Sequence, residues 1–154
     1  MRHATDAAMV ASRALVAIAA RSMTHLDDVT LPQFRALVIL ASHGPITSGE
    51  LASHLGVHGS TVTRLVDRLV AKRLVARSTP DDRREVVLSV DAAGLAALDA
   101  VTVARRRELA VVMRRLSPAQ RKSAVKAFTV FAEAAGELPD DQWSVVLNPP
   151  LTPR

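Results

Sequence analysis

The sequence predicts a mainly α-helical protein built around a pair of short helices and a small β-hairpin. Thr47 is followed three residues later by Glu50, a spacing typical of a capping box at the start of a helix. From about Gly59 to Arg73 the apolar residues recur at helical intervals. Between Glu85 and Val90 apolar side chains alternate, which indicates a strand. These observations predict a helix-turn-helix followed by a two-stranded ribbon.

The two helices are bounded by local signals. The first is expected to begin after Thr47, to bury Leu51, Ala52 and Leu55, and to end at Gly56, because glycine tolerates the backbone angles of a sharp turn. The second carries one apolar stripe at helical spacing. Its members are Val62, Leu65, Val66 and Leu69.

The face opposite that stripe is expected to bind DNA. Small hydroxyls at the start of an exposed helix can contact phosphates, while arginines one and two turns later reach guanine edges or further phosphates. The residues on or beside this face are Ser60, Thr61, Thr63, Arg64, Asp67 and Arg68. His58, just before the helix, either contacts the DNA backbone or caps the helix.

The ribbon is expected to act as a wing. Leu74–Ser78 and Glu85–Val90 read as its strands, and the polar turn between them ends in Arg83 and Arg84. Adjacent arginines at such a tip suit the negative potential of a minor groove. Loop arginines more often only keep a surface soluble, so it is the consecutive order of helix pair, ribbon and tip that indicates DNA binding. Asp82 is expected to brace the tip.

The residues of this central stretch resemble the MarR (multiple antibiotic resistance regulator) family of bacterial transcription factors. STVTRLVDRL, from Ser60 to Leu69, looks like a recognition helix of that family, and Asp82-Arg83-Arg84 matches the Asp-x-Arg motif of its wing. Val86 to Gly94 resembles the strand and helix start that follow the wing. The resemblance covers about Leu31 to Gly94 and implies a winged helix-turn-helix transcriptional regulator, most often a repressor.

Two positions depart from the family pattern. Where many members have Ser-Pro before the recognition helix, this chain has His58-Gly59; histidine is a weaker cap, and glycine lacks the preset backbone angle of proline. Where members often have Leu-Thr before the later long helices, this chain has Val90-Asp91, and aspartate caps equally well.

Long helices are expected on both sides of the helix-turn-helix and its wing, which together are called the reader unit. Two further capping pairs, Thr30/Gln33 and Ser117/Gln120, mark helix starts, and each is followed by proline inside the first turn. The expected helices run from Thr5 to Leu26, from Leu31 through Ala41, from Asp91 to about Arg115, and from Ser117 to near Gly136. The resemblance implies that Ile46 pairs with the base of the wing. The predicted domains are 1–30 and 91–154, for dimerisation, and 31–90, for DNA binding.

A homodimer follows from the resemblance and from the physics of reading DNA. The outer helices have apolar faces that the small winged unit cannot cover alone, and the resemblance implies that they interleave with those of a second chain. Two recognition helices about one helical turn apart would read a pseudo-palindromic operator in double-stranded DNA.

Composition excludes several classes of function. A net charge of +5 suits a polyanionic partner, and the absence of cysteine excludes disulfides, thiolate metal sites and a cysteine redox switch. The apolar patch near the N-terminus is too short to span a bilayer, which favours a cytoplasmic protein without membrane contact. No Ser-His-Asp order, glycine-rich phosphate loop or paired carboxylates are found, so we expect neither an enzyme nor a bound cofactor.

Three further sites are predicted less directly. Asp67 is expected to pair either with Arg83 or Arg84, restraining the wing, or within its helix with Arg64 or Lys72. His54 and His58 have helical metal-site spacing, but without a cysteine or an acid cluster we expect no metal. The resemblance implies a small lipophilic or phenolic effector between the dimerisation helices and the reader unit. The residues expected near that cleft are Arg21, His25 and Phe34.

The competing function is a winged helix that binds a protein instead of DNA. Such a surface would more often present apolar anchors than the arginines of the second helix and the wing. We therefore expect a dimeric, sequence-specific DNA-binding regulator, released by its effector.

Overall fold

The computed structural model describes residues 1–24, 26, 29–79 and 85–136, and within them the chain is mainly helical with one small sheet. The elements follow in chain order. They are α1 (Arg2–Ser22), α2 (Leu31–His43), β1 (Ile46–Thr47), α3 (Ser48–Leu55), α4 (Gly59–Ala71), β2 (Val75–Ser78), β3 (Val87–Val90), α5 (Ala92–Arg114) and α6 (Pro118–Ala134). The predicted fold class, a winged helix-turn-helix with long flanking helices, is confirmed.

The chain divides into two compact units. Of the described residues, one unit contains those up to residue 26 and those from 100 to 136, and the other, the reader unit, contains those between 29 and 99. The division falls inside α5, whereas the sequence interpretation placed it after Val90. The tail from residue 137 onward lies outside the described residues.

Three capping boxes begin helices as the sequence predicts. The side chain of Thr30 accepts from the Gln33 amide and that of Thr47 from the Glu50 amide, while each N3 side chain accepts from the backbone N–H of its cap residue. The third pair, Ser117 and Gln120, begins α6 in the same way. Gly56 ends α3 with a left-handed φ of 66°. Local hydrogen bonding therefore determines where these helices begin and end.

The sheet has the order β1-β3-β2, with both neighbours antiparallel to β3. Ile46 lies opposite Leu88, which confirms the predicted pairing of Ile46 with the base of the hairpin. β2 begins one residue later than expected, and β3 begins two residues later than expected. Val87 and Leu88 are buried, while Val86, just before β3, is 49% exposed.

The core of the reader unit is formed where α2, α3, α4 and the sheet meet. The four stripe residues of α4 are all buried, between 0% and 9% exposed, as their spacing predicts. Opposing them are apolar side chains from the neighbouring elements. The largest of these are Phe34, Leu37, Leu40, Leu51 and Leu88. A scaffold packed in this way holds α4 with a fixed face outward.

The end of α4 contains a strained residue. The helix was expected to reach Arg73 but ends at Ala71, and Arg73 has a left-handed φ of 56°. The Arg73 N–H donates to Val70 O and the Leu74 N–H to Leu69 O, which is the hydrogen-bond pattern of a Schellman motif. Glycine usually occupies this position, because a side chain there costs about 1–2 kcal/mol.

We expect Arg73→Gly to stabilise the reader unit. Relief of the left-handed strain outweighs the larger chain entropy of glycine when unfolded, for a net gain of about 0.5–1 kcal/mol in the free energy of unfolding. Urea denaturation measures this gain. Arg73→Ala, which keeps the Cβ and therefore the strain, is the control and should give no gain.

The other unit leaves much apolar surface open in the single chain. On α1 Ile18 is buried, but Val10 and Val16 are 59% and 64% exposed. Val112 of α5, which was expected to be buried, is 42% exposed. α6 buries none of its residues, and its Phe128 and Phe131 are 42% and 63% exposed. In the single chain these apolar side chains meet solvent.

Candidate nucleic-acid interface

The exposed face of α4 carries the predicted DNA-binding side chains together. Ser60, Thr61 and Arg64 lie outward with Asp67 and Arg68, opposite the buried stripe. Because α4 is anchored by four buried apolar residues, this polar face is presented on a rigid element.

The hydroxyl groups on this face are not equivalent. Thr63 Oγ1 donates to Gly59 O at 3.1 Å, so its hydrogen is already used within the helix. A phosphate oxygen only accepts hydrogen bonds, and Thr63 in this rotamer has no hydrogen to give it. The side chains of Ser60 and Thr61 are exposed and bond to no other described residue. They are therefore the available hydroxyl donors at the start of α4.

His58 precedes α4 as its N-cap, but its side chain makes no capping hydrogen bond. The cap position is filled by backbone only, through His58 O, which accepts from the Thr61 N–H at 3.0 Å. Of the two predicted roles, side-chain capping is therefore wrong for this structure. The imidazole stays exposed beside the helix start.

Arg64 and Arg68 form no ion pair with any described residue. With the start of α2 they line an open groove of about 300 Å³, to which Thr30, Pro32, Gln33, Thr61 and Leu65 also contribute. The groove therefore joins the side of α4 carrying Thr61 and Arg68 to the first turn of α2. The sequence interpretation did not foresee this contribution of α2.

On the other side of α4, Asp67 pairs with Arg77 of β2. Arg77 Nη2 donates to Asp67 Oδ1 at 2.6 Å, and both side chains are about half exposed, at 40% and 54%. Neither sequence interpretation named Arg77 as the partner. The alternation of side chains along a strand could have predicted this pairing. Arg77 is two residues from the buried Val75 and so lies on the same face of β2, toward α4. The pair connects the recognition helix to the first strand of the hairpin.

Some predicted site residues lie outside the described part of the chain. These are Asp82, Arg83 and Arg84 at the hairpin tip, and His25 after α1. Their predicted roles stay predictions.

The predicted effector residues have separate surroundings. Arg21 donates from Nε and Nη2 to Glu108 Oε2, at 3.0 and 2.8 Å, within the unit formed by α1, the later part of α5 and α6. Its charge is thus already matched by a carboxylate. Phe34 is 6% exposed in the core of the reader unit, where packing accounts for it.

A second open cavity, also about 300 Å³, lies between α1 and α5 in the same unit as Arg21. Its walls are mostly apolar, from Leu15, Val16, Ile18 and Leu109, and Arg105 lines one side. Burial lowers the pKa of the Arg105 guanidinium from its ordinary value, because the charged form loses hydration. Arg105 is half-buried, whereas Arg106 and Arg107, which follow it, are exposed.

Histidines meet at one place in the reader unit. The rings of His43 and His54 are 4.1 Å apart between centroids, at the ends of α2 and α3. Among the described residues, however, no group of three or more histidines and carboxylates could hold a metal ion. No helix in those residues has both the length and the apolar character needed to cross a bilayer.

Comparison with known proteins places this geometry in a family. A sequence model of the MarR family matches residues 27–85. The chain is 31% identical over 110 residues to the transcriptional repressor MdtR of Bacillus subtilis, which is 71% of each protein. The chain belongs to the MarR family. The resemblance inferred from the recognition helix and the wing motif is thereby confirmed.

Further MarR-family relatives show how much of the chain is matched. The transcriptional repressor NicR of Pseudomonas putida is 35% identical over 95 residues, which is 61% of this chain and 60% of NicR. RV1404 from Mycobacterium tuberculosis, known from a crystal structure, is 44% identical in sequence to this chain. The two structures match with a TM-score of 0.82 over 90% of this chain and 95% of the RV1404 chain. The family and these curated relatives are transcriptional regulators, not enzymes.

Proposed function

We propose that this MarR-family chain is a homodimeric repressor of transcription that binds a pseudo-palindromic operator in double-stranded DNA. The observation that carries the proposal is the outward face of α4, where Arg64 and Arg68 have no ion-pair partner among the described residues. Two such arginines on one exposed helix face suit major-groove and phosphate contacts. NicR and MdtR are both named as repressors, which supports repression of transcription over activation.

Contacts to DNA are assigned by the chemistry of each side chain. Ser60 and Thr61 supply hydroxyl donors to phosphates at the helix start, with His58 beside them. Arg64 and Arg68 reach base edges or phosphates, while Arg83 and Arg84 enter the adjacent minor groove, braced by Asp82. The hydroxyl of Thr63 is bonded to Gly59 O, so its exposed methyl group is the part available for contact with DNA.

A second copy of this chain is the proposed partner of the exposed apolar faces. Phe128, Phe131 and Val125 of α6 are between 42% and 64% exposed, and α1 adds Val10 and Val16 at 59% and 64%. A soluble monomer rarely exposes so many large apolar side chains within one unit. Pairing these faces about a twofold axis would bury them and present two copies of α4 to one duplex.

A small lipophilic or phenolic compound is the proposed effector, with Arg21, His25 and Phe34 as its contacts. Since Arg21 is paired with Glu108, an anionic compound must compete with that carboxylate to use Arg21. The regulator is proposed to act in the cytoplasm, where the operator is.

DNA binding is tested by fluorescence anisotropy with a duplex from upstream of the chain's own gene, between 50 and 300 mM salt. We expect nanomolar binding that weakens steeply with salt, because each phosphate contact releases counterions. An unrelated duplex of equal length should bind more weakly at every salt concentration. Equal binding of both duplexes would contradict sequence-specific control, and binding of neither would leave the protein-binding winged helix as the alternative.

The ion pair between Asp67 and Arg77 gives a separate prediction. Arg77→Ala should change the free energy of unfolding by less than about 1 kcal/mol, because the pair is exposed. It should nevertheless weaken operator binding by roughly three- to tenfold, since the carboxylate of Asp67 would then face the DNA phosphates without its cation.

The double variant Asp67→Asn with Arg77→Ala separates this effect from the loss of a positive charge near DNA. If Arg77 acts by neutralising Asp67, the double variant should regain most of the operator affinity. If affinity stays as low as in Arg77→Ala alone, Arg77 contacts DNA itself.

A further inference from the structure

We infer that the groove between the start of α2 and the recognition helix is a phosphate slot, which holds the DNA backbone on the side of α4 away from the wing. The inference rests on the proposed function and adds a surface of α2 to it. The groove is lined by Pro32 and Gln33 on one side and by Thr61, Arg64 and Arg68 on the other. Its proposed occupant is a phosphodiester group of duplex DNA.

The groove is lined by hydrogen-bond donors. Arg64 and Arg68 have no acidic partner among the described residues, and the side-chain hydroxyl of Thr61 has no bond to any of them. No carboxylate lies among the described residues that line it. A phosphodiester only accepts hydrogen bonds and carries a negative charge, so this lining matches it in both respects.

Gln33 adds an independent observation. Its side chain is 3% exposed and lines the groove, while its Oε1 accepts from the Thr30 N–H at 2.9 Å. That bond orients the amide with the oxygen toward the backbone, and the Nε2 donor bonds to none of the other described residues. The amide donor is therefore available to a ligand oxygen that enters the groove.

The two sides of α4 differ in charge. On the wing side the carboxylate of Asp67 is matched by Arg77, so that side contributes little net charge. On the α2 side the two arginines are not matched by any described acid. Among the described side chains of α4, the attraction for phosphate is therefore strongest on the side that lines the groove.

Pro32 is the position at which the slot can be tested without harming the fold. It is exposed in the first turn of α2, where a glutamate interacts favourably with the helix dipole. We expect Pro32→Glu to fold normally and to bind duplex DNA about tenfold more weakly at low salt, with a salt slope lower by about 1, because the carboxylate repels the phosphate. The loss should be equal on operator and unrelated DNA, since a phosphate contact carries no sequence information.

Matched controls separate position from charge. Pro32→Lys places the opposite charge at the same position and should bind more tightly at low salt. Ala93→Glu adds the same charge in the first turn of α5, at an exposed residue that does not line the groove. It should change affinity by less than about twofold, as surface charges outside the contact do.

The outcomes distinguish the slot from the proposed function. If the wild-type dimer binds duplex DNA and Pro32→Glu binds equally well with the same salt slope, the slot is wrong and the regulator proposal survives. If Ala93→Glu loses as much affinity as Pro32→Glu, net charge alone explains the effect and the slot is again wrong. If the wild type binds no duplex at any salt concentration, both proposals fail together.

Discussion

Replacing Gly94 by alanine is expected to lower the free energy of unfolding by about 3 kcal/mol, which is large for the addition of one methyl group. A Cβ at this position would lie 2.3 Å from Leu74 O and 2.6 Å from Val90 Cγ1. Leu74 O cannot easily move away, because it accepts a hydrogen bond from the Asp91 N–H at 3.0 Å. The added carbon must therefore push the first turn of α5 away from Leu74, the residue just before β2.

Urea denaturation followed by circular dichroism measures this loss. Gly59→Ala is the matched control, because a Cβ there meets nothing within 4 Å, and it should leave stability unchanged or raise it by less than about 1 kcal/mol. Equal stabilities of the two variants would show that α5 can shift at no cost. The contact of Gly94 with Leu74 would then not be a constraint on the fold.

Placing glutamate at both Phe128 and Phe131 is expected to convert the proposed dimer into a monomer. The two side chains lie three residues apart on one face of α6 and are 42% and 63% exposed in the single chain. Carboxylates buried between two copies would cost several kcal/mol each, far more than an interface can absorb. Operator affinity should fall by about 100-fold or more, because two linked half-sites no longer bind together.

Sedimentation velocity gives the mass, and anisotropy gives the affinity. Lys126→Glu makes the same change in net charge and lies two residues before Phe128, so it faces the other side of α6. This control should remain dimeric. A double variant that is still dimeric would show that α6 does not lie in the interface, and a monomer with wild-type affinity would show that the dimer is not needed to bind DNA.

Most helix starts could be predicted from the sequence because the interactions that decide them are local. Thr30, Thr47 and Ser117 each bond to a residue three positions later, so the pattern in the chain already contains both partners. The buried stripe of α4 followed from its period in the same way. The end of α4 was predicted two residues too late, because Arg73 takes a left-handed angle that is usual for glycine.

Partners across elements could not be predicted in this way. That Asp67 bonds to Arg77 depends on how the strand crosses the helix, and the approach of Gly94 to Leu74 depends on where α5 leaves the sheet. The exposed face of α6 shows a further limit, since periodicity identified its apolar side chains but a single chain does not cover them.

The sequence by itself determined the order of elements, three helix caps, the exposed face of α4 and the membership of the family, because hydrogen bonds within one turn and the period of apolar residues act along the chain. Only the tertiary structure decided which arginine neutralises Asp67, and that the start of α2 forms one wall of the groove beside Arg64 and Arg68. These features arise from the angles and distances at which separate elements pack, and many sequences with the same pattern could pack differently.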